Sequence, residues 1–112
     1  MRQQTEKPLP LVEILPAFAA ELQRLLTEKG EPELAVQVPS LRIFERCSCG
    51  DDFCGTFYTQ PKPKGAYGPG HRNVVLAPDD GTVILDVVED QICCVEVLDR
   101  PEIREKLNAV LP

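Results

Sequence analysis

Apolar residues in the first third of the chain recur at helical spacing. Leu11, Leu15, Phe18, Leu22 and Leu25 are four or three positions apart, so they share one side of an amphipathic helix. Glu21, Gln23, Arg24, Glu28 and Lys29 fill the opposite side, and Gly30 with Pro32 supplies a stop. Pro16 lacks a backbone N–H and fits only a first helical turn. The pattern therefore predicts a helix over 16–29 preceded by a helical turn, with another short turn at 32–35. Beyond Pro39 the period falls to two. Alternation in 41–46, a β-branched and aromatic run in 53–59, and apolar runs in 73–77, 82–88 and 92–98 predict five strands. Asp79-Asp80-Gly81 and Glu89-Asp90-Gln91 are turn signals between the last three. Asp99, Pro101 and Glu102 match a capping box, and Ile103, Leu107, Val110 and Leu111 give a final helix over 102–111.

The expected architecture is one α+β domain spanning 1–112, a five-stranded antiparallel meander flanked by an N-terminal and a C-terminal helix. Leu15, Phe18, Leu22 and Leu25 should pack with Leu107 and Val110 on one face of the sheet. At 112 residues, 43% of them hydrophobic and 27% charged, the chain suits one globular core.

Residues 81–98 carry a pattern of their own. Gly81-Thr82-Val83-Ile84-Leu85-Asp86, then Asp90-Gln91-Ile92, then Val95-Glu96-Val97-Leu98 resembles a hairpin in a family of small bacterial domains of unknown function. The resemblance implies a β-meander and offers no catalytic residue to carry over.

The net charge of −6 disfavours phosphate backbones and anionic lipid, so nucleic acid and membrane are not the expected partners. It suits a basic protein partner, and an immunity-type protein that neutralises a basic toxin would have this size and charge. No membrane-length apolar run is present, and Met1 to Pro10 lacks a secretory segment, so a cytoplasmic location with reduced thiols is expected. The odd count of 5 cysteines also argues against a closed disulfide framework.

Cys47, Cys49 and Cys54 concentrate the candidate chemistry. They form Cys-x-Cys-x4-Cys across a predicted hairpin tip, where Gly50 eases a sharp turn. Thiolates bind zinc well, and a structural zinc takes four ligands. His71, the only histidine, is the first candidate for the fourth, delivered by the long loop 60–72. Asp51 and Asp52 are alternatives, and Cys93 or Cys94 would serve if the last strand ran beside the tip. Cysteine also packs as a small apolar residue, but three within eight positions at a turn is not a core pattern. The rival chemistry is a thiol-dependent enzyme or redox sensor on the same cysteines. Cys93 and Cys94 should face opposite sides of their strand, in structural roles. Lys62, Lys64, His71 and Arg72 make the long loop locally basic, without a P-loop or dinucleotide motif. A non-enzymatic binding or adaptor domain, with zinc on Cys47, Cys49, Cys54 and His71, is the leading expectation.

Overall fold

The structure, a computed structural model, describes residues 7–111; the expected domain ends, 1–6 and 112, lie outside the described residues. Strand β1 (Leu9–Pro10) runs into helix α1 (Leu11–Ile14), and Pro16 then opens α2 (Pro16–Lys29). The Gly30 N–H bonds to the carbonyls of Leu26 and Thr27 and ends α2. Helix α3 (Pro32–Ala35) is the second short turn, and a 3₁₀ turn at Val38–Ser40 follows.

The first expected strand is broken in two. Strand β2 (Arg42–Ile43) pairs with β1, whereas β3 (Glu45–Arg46) pairs with β4 (Phe57–Tyr58). Segment 53–59 keeps only that short regular piece, yet it follows β7 along much of its length. Cys54 bridges Leu98, Gly55 N–H donates to Val97 O at 2.8 Å and Thr59 N–H to Cys93 O at 2.9 Å. Strands β5 (His71–Val75), β6 (Thr82–Val88) and β7 (Gln91–Leu98) form a meander. Helix α4 (Pro101–Val110) closes the chain. The capping box does not form. Asp99 adopts a φ of +61° and Arg100 becomes the N-cap residue, with no side-chain cap.

The sheet is five-stranded and antiparallel, in the order β3-β4-β7-β6-β5. It departs from an uninterrupted meander at one connection. Segment 59–70 carries the chain from β4 past β7 and β6 to the far edge, a span of about 14 Å at ordinary strand spacing. Val83, Leu85, Val87, Ile92, Val95, Val97, Phe57 and Val74 share one face and are all buried. Leu11, Leu15, Phe18, Leu22, Leu25, Ile103 and Leu107 join them in one core, while Val110 is only half-buried. Phe18 meets Phe57 edge to face, with ring centroids 6.2 Å apart. No helix among the described residues is long and apolar enough to cross a membrane.

Candidate metal centre at a hairpin tip

Residues 47–56 link β3 to β4, and their neighbours hold them in place. Cys47 extends the ladder, its N–H donating to Thr56 O at 2.9 Å. The chain then turns through Gly50, whose φ of +82° suits a residue without a Cβ. Cys54 N–H reaches back to Asp51 O at 3.3 Å, closing the turn. Helix α4 fastens the tip from one side, with Arg104 Nε donating to Asp51 O at 3.2 Å. From β7, Val97 N–H donates to the Thr56 hydroxyl at 3.0 Å.

This scaffold brings the sulfurs of Cys47, Cys49 and Cys54 within 4.8 Å of one another. Cys47 and Cys54 are half-buried and Cys49 is exposed. Burial pushes the Cys54 thiol up, but the Thr56 hydroxyl, the Thr56 backbone and the thiols of Cys49 and Cys47 together hold it below the usual range. At Cys49 a backbone bond from Asp51 acts downward. Hydrogen bonds with Cys54 and Cys47 outweigh it and push the thiol up to about 11. Hydrogen bonds within the triad thus ease proton loss at Cys54 and oppose it at Cys49. A cation that displaces those protons is the chemistry this arrangement invites.

The other candidate ligands fall elsewhere. His71 is not brought to the sulfurs. It lies opposite Val88, beside the β6–β7 turn, whereas Cys54 lies opposite Leu98 at the other end of β7. That is roughly 20 Å along the strand at the usual rise per residue. The insertion of β7 and β6 between β4 and β5 causes the separation, and His71 Nε2 instead sits 2.8 Å from Asp86 Oδ1. Asp51 and Asp52 are exposed and stand outside the grouped ligand atoms. A β-bulge at Asp86/Val87 leaves Cys93 without a partner on β6, and Cys94 is buried on the face away from the helices. Neither lies in the helix-side core, so the expected one-in, one-out arrangement is undone by the bulge.

Nor does the basic loop converge on an anion. Arg72 is bidentate on Glu31, with both contacts at 3.0 Å, and Lys62 lies over the Tyr58 ring at 5.6 Å from its centroid. Sequence reasoning missed a polar cluster of His71, Asn73, Asp86 and Glu96. Asp86 and Glu96 pass for surface residues unless the strand register is known. No family model matches the chain, and no curated protein or solved structure matches it either.

Proposed function

We propose that the chain is a small non-enzymatic binding domain whose hairpin tip is organised by a zinc ion on Cys47, Cys49 and Cys54. The convergence of three sulfurs within 4.8 Å, on backbone fastened to β7 and α4, supports this reading. Thiolate donors favour soft and borderline cations, and zinc is the one that brings no redox chemistry of its own. Three thiolates leave one of zinc's usual four positions to water or to an outside ligand. The acidic surface suits a basic protein partner.

Metal analysis of freshly purified protein tests the reading, followed by replacement with cobalt(II) to record sulfur-to-metal charge-transfer bands. One equivalent of zinc and bands of cysteine ligation are expected. Cys49→Ser should weaken zinc binding by at least about tenfold, since even outer-shell changes cost that much. Protein that neither carries nor takes up zinc or cobalt would sink the proposal. The lowered Cys54 thiol favours a second reading, a redox sensor. Metal-free protein in which Cys54 is alkylated much faster than the other thiols would support it.

A further inference from the structure

The sulfur triad stands on the side of the sheet that the helices leave open. Side chains alternate along an extended chain. Phe57 lies in the core, and a Cβ at Gly55 would stand 3.4 Å from Ile103 and from Arg104 of α4. Cys54 therefore faces away from α4, as does Leu98, its bridge partner. Cys47 shares this face, because it lies two residues beyond Glu45, whose row continues through Tyr58 to Cys94. Cys49 is exposed at the turn. Phe53, just before Cys54, is 47% exposed, with its carbonyl held by Asp99 N–H at 2.9 Å. No other cysteine or histidine of the chain completes a fourfold set. Of its 5 cysteines and 1 histidine, His71 lies toward the far end of β7. Cys94 and Cys93 stand roughly 13 and 16 Å along β7 from the Cys54 bridge at the usual rise per residue. Asp51 and Asp52 stand outside the grouped ligand atoms.

We propose, resting on the zinc reading above, that the imidazole of a histidine from outside the chain takes the fourth position, so that Cys47, Cys49 and Cys54 form the chain's share of a Cys₃His centre at an interface with a partner protein. Three cysteines and one histidine are a regular structural set for zinc. Charge selects the imidazole over a fourth thiolate. The guanidiniums of Arg46 and Arg104 serve the tip, donating to Cys47 O at 3.5 Å and to Asp51 O at 3.2 Å. Together with zinc they still do not offset three thiolates and the carboxylates of Asp51 and Asp52. A fourth thiolate would add to that negative excess, whereas a neutral imidazole adds nothing to it. Protons select in the same direction. A free imidazole, with a pKa of about 6.5, is mostly neutral at pH 7.5, but a free thiol, with a pKa of about 8.5, is only about one-tenth ionised there. The exposed Phe53 ring offers an incoming imidazole an aromatic neighbour.

Cobalt(II)-loaded protein reports the fourth ligand through its visible bands. It is titrated anaerobically at pH 7.5 with N-acetylhistidine amide and, separately, with N-acetylcysteine amide. The histidine amide should shift the d–d bands saturably while the sulfur-to-cobalt bands persist. Half-saturation should come at about one-tenth of the concentration that the cysteine amide needs, the factor set by thiol ionisation alone. The double variant Asp51→Asn with Asp52→Asn should show the same starting bands as wild type. Fully loaded protein whose bands ignore the histidine amide would overturn the proposal and leave the zinc reading standing. So would half-saturation by the cysteine amide at the lower concentration, or loss of the sulfur-to-cobalt bands, which would mean that the metal had been stripped. Starting bands altered in the double variant would also overturn it, because a carboxylate of the chain would then hold the fourth position. Protein that takes up no cobalt would remove this proposal and the zinc reading together.

Discussion

Leu22 is fully buried, in the same core as Phe18, Leu26 and the inner face of the sheet. Truncation there removes transfer energy and leaves a cavity, so Leu22→Ala should cost about 2–5 kcal/mol in urea denaturation. Glu96 affects stability through a proton. Its folded carboxyl is raised to about 7 against an ordinary 4.5, so the folded state binds more protons across that interval. Its contribution is therefore full at low pH and is lost as pH rises from about 4.5 to 7, with no further change above. Glu96→Gln should remove this slope, read by denaturant titrations at pH 5, 6, 7 and 8. The two positions differ in legibility. Leu22 announces itself through a period confined to one helix. Asp86 and Glu96 are ten positions apart and meet only because the β6–β7 register sets Asp86 opposite Cys94 and Ile84 opposite Glu96. No local period encodes that register.

Strands β6 and β7 form where alternation and turn signals agree, and Glu89 and Asp90 both take positive φ at their turn. The Gln37 side chain steadies that turn, donating to Asp90 O at 2.6 Å and accepting from Ile92 N–H at 3.2 Å. Segments 41–46 and 53–59 were legible as extended chain but not as interrupted strands. Their breaks come from tertiary demands, because β2 must pair with β1 while β3 pairs with β4. The sulfur triad was legible because its members are close in sequence. The distance of His71 from that triad was not, because its place depends on which strands lie between β4 and β5. Turn glycines offer a graded test of these elements. At Gly81, with φ +71°, an added Cβ would stand 2.5 Å from Leu98 O and 2.9 Å from the Arg100 side chain. Gly50 has a similar φ, +82°, but nothing within 4 Å of that position. Gly50→Ala should therefore cost about 1 kcal/mol from backbone strain alone. Gly81→Ala should cost clearly more, by chemical denaturation of both variants.

Across the whole molecule, Arg100 ties the layers together. It is bidentate on Glu21 of α2, at 2.7 and 3.0 Å, and bonds Glu102 of α4 at 2.7 Å. It also donates to Asp80 O at 3.3 Å and lies over the Phe18 ring. Removing it leaves the part-buried Glu21 without its partner, so Arg100→Ala should cost about 1–3 kcal/mol, more than an exposed pair and less than a fully buried one. The exposed Arg24–Glu28 pair should yield no more than about 0.5 kcal/mol in a double-mutant cycle. Metal removal should have a different reach. None of the three clustered cysteines belongs to the apolar core, which runs from α1 through β7 to α4 without them. The β5–β6–β7 ladder likewise closes by its own backbone bonds. Stripping zinc with a chelator should therefore free the tip and leave the rest folded. The thiols at Cys47, Cys49 and Cys54 would then regain protons, and the turn through Gly50 would keep only its backbone bonds and the Arg104 contact. Amide hydrogen exchange with and without chelator gives the answer. Protection should fall in 47–56 and hold in 82–98. Cooperative loss across both segments would mean that the metal supports the whole fold, and no change in either would mean that the tip holds none.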